Sequence, residues 1–356
     1  MKKFFIYVLI VLFLGLIGNI QTGFTKNVSG ADCFYTRSLH YDAHGMGYWY
    51  SKEQGGIERI TKIPYEKLAC GHCHASSCDK CHKTEENGKF VYSLKIARDM
   101  KKNCLRCHAR QKAMLGLMKK TGLPDVHFSK GMTCVSCHGG KDIHGDGKRY
   151  VSMREPGAVN VKCETCHKNN IPNTISHTIH RGKLDCTACH VAQTLTCANC
   201  HMDTMIKKKK KLFIPLHGWT FLINYRGKVV SGNIQTFVVG KGKTFMVMAP
   251  SFSHYIIKKG RKCEECHATN IVRQLQKGSI NITWIKNERL VNLKGVIPIV
   301  EGVEYKSAFM DYKNGKWIPL KNAKKPLVQF AAFGKPLTKE QLQKLAIPFK
   351  SNQFKK

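Results

Sequence analysis

One pentapeptide, Cys-x-x-Cys-His, occurs eight times in the 356 residues of the chain. Two thiols separated by two residues can each form a thioether with one vinyl group of a protoporphyrin, and the adjacent histidine then lies under the iron. The pattern therefore predicts eight covalently attached c-type haems. The predicted attachment cysteines are Cys70, Cys73, Cys78, Cys81, Cys104, Cys107, Cys134, Cys137, Cys163, Cys166, Cys186, Cys189, Cys197, Cys200, Cys263 and Cys266, and the predicted proximal ligands are His74, His82, His108, His138, His167, His190, His201 and His267.

Other uses of paired cysteines explain this pattern less well. Zinc sites need ligands in sets of four, and a disulfide framework predicts scattered rather than identical spacings. A thioredoxin-like redox pair would not be followed by histidine every time. The motifs use 16 of the 17 cysteines and leave Cys33.

The remaining histidines provide candidates for the opposite face of each iron. Nine of the 17 histidines lie outside the proximal positions, and His72 is set aside because it lies inside the first attachment loop. Eight candidate distal ligands then remain for eight irons. They are His40, His44, His127, His144, His177, His180, His217 and His254. The sequence does not say which histidine serves which haem.

Coordination decides between two classes of function. Iron with imidazole on both faces is closed to substrate and can only pass electrons, whereas catalysis needs an open or weakly held position. Because the eight candidate distal histidines equal the eight predicted haems in number, the sequence favours an electron carrier over an enzyme. The alternative is an octahaem reductase or oxidase of small nitrogen or sulfur compounds, with one haem that lacks a second histidine.

On these motifs, over residues 33–267, the chain resembles the multihaem c-type cytochromes of respiratory and extracellular electron transfer. Its motif number is similar to that of the octahaem group, which includes hydroxylamine oxidoreductase and the octahaem tetrathionate and nitrite reductases. The resemblance implies a multihaem cytochrome c fold. Nitrite reductases of this group typically carry Cys-x-x-Cys-Lys at the catalytic haem, which is absent here. That departure counts against nitrite reduction.

The N-terminus predicts export. Met1-Lys2-Lys3 precedes an apolar run over residues 4–18, which suits a signal-peptide core and is shorter than the roughly 20 residues that span a bilayer. Residues 1–26 are therefore predicted to be a signal peptide or, if retained, a membrane anchor. The protein would then function in the periplasm or at the cell surface. A retained anchor would allow a third function, a membrane-anchored, quinol-oxidising cytochrome.

The formal net charge of +36 bears on the partners. Each ferric haem adds about one negative charge, so the loaded protein would keep roughly +28. Export and haem argue against nucleic acid as a partner. The charge favours other redox proteins, either acidic cytochromes or quinol-linked donors, and is compatible with membrane association. A homo-oligomer or filament remains open.

The spacing of the motifs predicts the domain organisation. Seven motifs lie between Cys70 and His201, with gaps of 3, 21, 25, 24, 18 and 6 residues. This density predicts a haem-packed core with short helices and long loops over residues 27–206. A helix is expected over 94–110, continuing toward residue 120. Residues 207–356 are predicted to be a β-rich region that carries the eighth haem at 263–267.

Overall fold

The computed structural model describes residues 34–42, 44–68 and 74–349, without the side chains of Asp42 and His44. The predicted segment 1–26, Cys33, Cys70, His72 and Cys73 lie outside the described residues. No described helix is long and apolar enough to cross a bilayer.

Short helices joined by loops make up the first part of the described chain. Most have only one or two turns, and the longest has 13 residues. The α-helices before the sheet are α1 Leu39–Asp42, α2 His44–Tyr50, α3 Glu58–Thr61, α4 Asp79–His82, α5 Leu94–Ala97, α6 Leu105–Cys107, α7 Ala109–Thr121, α8 Gly140–His144, α9 Glu164–His167, α10 Ile175–Thr178 and α11 Cys186–His190. A small antiparallel hairpin, β1 Lys83–Glu86 and β2 Lys89–Tyr92, follows α4.

The prediction of one continuous helix from residue 94 is wrong. The segment is divided into α5, a π-helical turn Met100–Cys104, α6 and α7. The Asp99 carboxylate accepts the backbone N–H groups of Lys101 and Lys102, which starts a new helical turn there. The Asn103 amide donates to the Ile96 carbonyl and occupies an acceptor at the end of α5.

A seven-stranded mixed sheet dominates the second part. Its main path runs β11 Gly295–Pro298, β5 Ile214–Tyr225, β6 Lys228–Val239, β7 Lys243–Pro250 and β15 Leu327–Phe330. Two strands from the predicted haem region join it, since β3 Thr194–Ala198 pairs with β5 and β4 Cys200–His201 pairs with β6. Helix α12, Met202–Lys208, follows β4 directly.

The remaining elements pack around this sheet. They are α13 Asn270–Gln276, β8 Ser279–Asn281, β9 Thr283–Lys286, β10 Arg289–Asn292, β12 Glu304–Lys306, β13 Met310–Lys313, β14 Lys316–Pro319 and α14 Lys339–Ala346. The largest apolar cluster includes Trp219, Phe221 and Ile223 of β5. Helix α14 begins with a capping box, in which Thr338 and Gln341 bond each other's backbone N–H groups.

Two tight turns that contain glycine set the central register. In the β5–β6 turn, Arg226 and Gly227 have φ of 51° and 77°, and Tyr225 pairs with Lys228. Positive φ at both central positions suits the twist of a two-residue hairpin. Lys241 and Gly242 also have positive φ, in the three-residue turn between the paired residues Val239 and Lys243.

Candidate haem-ligating centres

Six pairs of histidine rings face each other in the described part of the chain. Each pair joins one histidine of a Cys-x-x-Cys-His motif with one histidine from outside the motifs. The ring-centroid distances are 6.1 Å for His108 with His40, 6.0 Å for His82 with His144, 6.2 Å for His167 with His127, 6.2 Å for His138 with His254, 6.3 Å for His190 with His177, and 6.3 Å for His267 with His180.

This spacing suits a metal ion held between two imidazoles. A metal–imidazole nitrogen bond is about 2 Å long and each ring centre lies about 1 Å behind its nitrogen, so the two ring centres should lie about 6 Å apart. Direct stacking of rings would bring the centroids closer, and random contact would not repeat one distance six times. The residues present therefore fit bis-imidazole ligation of iron.

The outward-facing ring nitrogens indicate which nitrogen is left for the metal. Nδ1 of His40, His190 and His267 lies 3.0, 3.0 and 3.2 Å from a backbone carbonyl oxygen. A carbonyl can only accept, so Nδ1 carries the proton and Nε2 keeps the lone pair that binds a metal. Nδ1 of His138 similarly lies 3.4 Å from an Asp142 carboxylate oxygen.

Burial keeps several of these imidazoles neutral. It is the largest cause that lowers the pKa of His40, His108, His180 and His267. It also lowers the pKa of His254 to about 4. A neutral ring retains the lone pair that ligation requires.

The backbone of the six paired motifs has one conformation in common. The histidine N–H bonds the carbonyl of the first cysteine at 2.8–3.0 Å in the second, third, fourth, fifth and eighth motifs. The sixth motif coincides with helix α11. Because residues three apart in a helical turn lie on one side, both thiols can meet the same porphyrin edge. These cysteines are exposed or half-buried rather than buried.

The six sites follow one another in space in the order of the sequence. The Cys104 and Cys134 thiols lie near enough to shift each other's pKa, as do those of Cys163 and Cys186. Thiol neighbours also join the other consecutive sites. These neighbours are Cys81 with Cys104, Cys137 with Cys166 and Cys189 with Cys263, and each raises the pKa of the first thiol after the larger effect of burial.

Asp125 is a site residue that sequence reasoning missed. Its buried carboxylate accepts the N–H of His127 at 2.7 Å and the N–H of Ile256 at 2.7 Å. It therefore fixes the segments of two candidate distal ligands, His127 and His254, relative to each other. An Asp two residues before a histidine was a signal that could have indicated this role.

The first motif is described only in part. His74 is half-buried, and the N–H of the following Ala75 donates to the His40 carbonyl at 2.9 Å. His44, a candidate distal ligand, begins α2 in the next turn of chain after His40, but its side chain lies outside the description.

Two predicted ligands are not brought into such pairs. The His201 ring bonds Thr204 and Asp311, and its neighbouring aromatic rings are Tyr312 and Trp317. His217 is exposed on β5, and no ring contact joins it to a motif histidine in the described residues. Among the described residues His217 is therefore not paired with a motif histidine, and its distal role stays a prediction.

Comparison with known proteins gives one distant similarity. The chain is 23% identical over 230 residues to the dissimilatory sulfite reductase MccA of Wolinella succinogenes. The match covers 50% of this chain and 32% of the relative, so it spans about a third of the relative's length. No family model and no solved structure matches the chain. The similarity is to a reductase and supports a redox function.

Proposed function

We propose that the chain is an exported multihaem c-type cytochrome that carries electrons along a row of haems, each held between two imidazoles. The six histidine pairs at 6.0–6.3 Å carry this proposal. Each pair includes one motif histidine, which links the ligand geometry to covalent attachment at the adjacent cysteines.

Haem c bound at these sites would supply a one-electron Fe(III)/Fe(II) couple. The protein's own residues would close both axial positions, which excludes substrate from the iron. The carbonyls of Ile143, Ile257 and Ile347 would hold three rings in the orientation and tautomer that ligation requires. Rigid ligands of this kind suit electron transfer, because little has to move when the iron changes charge.

The arrangement of the sites supports a relay. The second, third, fourth, fifth, sixth and eighth motifs are neighbours through their thiols, so the row has two ends. The His40 carbonyl accepts the N–H of Ala75, so the first motif lies beside the segment that carries the partner of His108 and could extend the row.

Charge and export suggest the partners of the row. A net charge of +36 favours acidic redox proteins as donors or acceptors. The N-terminal pattern favours the periplasm or the cell surface, where haem attachment of this type takes place.

Electron paramagnetic resonance of the purified ferric protein tests the proposal. We expect an entirely low-spin spectrum, together with a haem c spectrum in the reduced protein that survives acid–acetone extraction. Haem that is lost on extraction would contradict covalent attachment. A dominant high-spin signal would contradict closed axial positions and with them the function as a relay.

Reduction of a sulfur oxyanion is the second candidate, and the similarity to a sulfite reductase favours it. It requires one iron with an open position. A minor high-spin signal that shifts on addition of sulfite, with sulfite-dependent oxidation of the reduced protein, would support this activity. Reduced protein that is stable in sulfite would exclude it.

A further inference from the structure

We propose that the seventh pentapeptide, Cys197–His201, carries no haem and instead forms a buried structural contact between the sheet and the β13–β14 hairpin. The chain would then hold seven haems rather than eight. This inference rests on the proposed function, since it concerns which motifs that function uses.

The backbone of this motif differs from that of the six paired motifs. Its cysteines lie on two different strands, β3 and β4, with Asn199 between them at a φ of 51°. The N–H of His201 donates to Leu212 at 3.0 Å rather than to the first cysteine of its own motif. The helical turn that places both thiols on one porphyrin edge is therefore absent here.

Both thiols are also enclosed by protein. Cys197 is 4% exposed and Cys200 is 0% exposed, whereas every other described motif cysteine is exposed or half-buried. Cys200 belongs to an apolar cluster with Tyr50, Leu68 and Phe245. A porphyrin at these thiols would have to displace packed side chains, which interiors of normal density do not allow without large cost.

The His201 ring has the tautomer that does not bind iron through Nε2. Its Nδ1 accepts the N–H of Thr204 at 3.3 Å and lies 2.7 Å from the Thr204 hydroxyl. Nδ1 is therefore an acceptor, and Nε2 carries the proton and donates to Asp311 at 2.8 Å. The paired histidines His40, His190 and His267 show the opposite arrangement, with Nδ1 bonded to a backbone carbonyl and Nε2 left for the metal.

The row of sites does not need the seventh motif. The sixth and eighth motifs are already neighbours, because Arg261, two residues before Cys263, donates its backbone N–H to the Cys189 carbonyl at 3.1 Å. The seventh motif lies six residues after the sixth in sequence. Its residues belong to strands β3 and β4 of the sheet rather than to the row of sites, and His201 hydrogen-bonds Asp311 of β13.

One tryptic peptide tests the inference with an internal reference. Residues 184–207 contain no lysine or arginine before Lys207, so the peptide carries both the sixth and the seventh motifs. We expect one haem on this peptide, at Cys186 and Cys189. After denaturation, reduction and treatment with iodoacetamide, Cys197 and Cys200 should both be alkylated, and the intact mass should show seven haems.

Two variants give a matched control on the same peptide. C197A/C200A should leave the haem content unchanged, whereas C186A/C189A should remove the haem from the peptide. Two haems on the wild-type peptide, or one attached at Cys197 and Cys200, would overturn the inference and leave the relay intact. A protein without haem at any motif would overturn the proposed function itself. The wild-type peptide decides even if C197A/C200A does not fold.

Discussion

Replacing His254 with alanine should open one iron of the row and leave the others closed. His254 faces His138 at a ring-centroid distance of 6.2 Å and reaches this position from the loop after β7, outside every motif. Loss of its imidazole removes one axial ligand without disturbing either attachment cysteine. The iron would become five-coordinate or bind water, and would change from low spin to high spin.

The expected magnitude follows from the count of sites. With seven haems, one opened iron is about one seventh of the total, so about 14% of the ferric iron should become high-spin. Carbon monoxide should bind the reduced variant with a similar stoichiometry of about one per chain. Imidazole added to the ferric variant should enter the space left by the side chain and restore the low-spin signal.

His217→Ala is the matched control. His217 was an equally good distal candidate by sequence, yet its side chain is exposed, and its backbone carbonyl accepts from Asn292 and Lys294. The variant should keep the parent spectrum and bind no carbon monoxide. A His254→Ala spectrum identical to that of the parent would refute the ligand assignment. A high-spin signal of equal size in His217→Ala would refute the interpretation of each pair of facing histidine rings as the two axial ligands of one iron.

Three further substitutions test the supporting contacts. Burial raises the pKa of Asp311, but hydrogen bonds from His201 and Lys313 outweigh it and hold this pKa below its ordinary 3.8. The ionised carboxylate therefore stabilises the folded protein above pH 3.8, and this contribution is lost as the pH falls through the lower pKa of the folded state. Asp311→Asn should lower the free energy of unfolding by about 1–3 kcal/mol at pH 7, and urea titrations should show this difference shrinking at lower pH. Arg261→Met should lower the free energy of unfolding by about 2–3 kcal/mol in the same assay, because the largely buried guanidinium donates to the Val191 and Ala192 carbonyls. An unchanged urea midpoint would contradict this role of Arg261. Thr338→Ala removes the cap of α14 and should cost about 1 kcal/mol, whereas Thr338→Ser should retain most of the stability.

Spacing identified the motif histidines, and subtraction identified six distal partners that the structure brings opposite them. The number of haems stays a prediction, because no histidine ring faces His201 among the described residues and His217 is exposed. If the seventh motif carries no haem, one site fewer and one surplus ligand would leave the totals equal, which a count alone does not reveal.

The groups that orient the histidine rings could not be predicted from residue types. The groups that orient His40, His190 and His267 are backbone carbonyls, which every residue has, so their role follows only from the folded path of the chain. Strands and tight turns were easier to predict. Their glycines and alternating apolar residues act locally, over the few residues that form each hairpin.

If the seventh motif carries no haem, an attachment sequence is not sufficient to define a site. The same Cys-x-x-Cys-His spacing forms a helical turn in six places and crosses between two strands in one. The difference comes from the flanking residues, since Thr194, Leu195 and Thr196 favour a strand that pairs with β5. Once β3 and β4 enter the sheet, the thiols face its packed side and His201 meets Asp311. Sheet pairing and haem attachment would thus compete for the same segment. The number of haems on the tryptic peptide 184–207, which holds the sixth and seventh motifs, distinguishes the two outcomes.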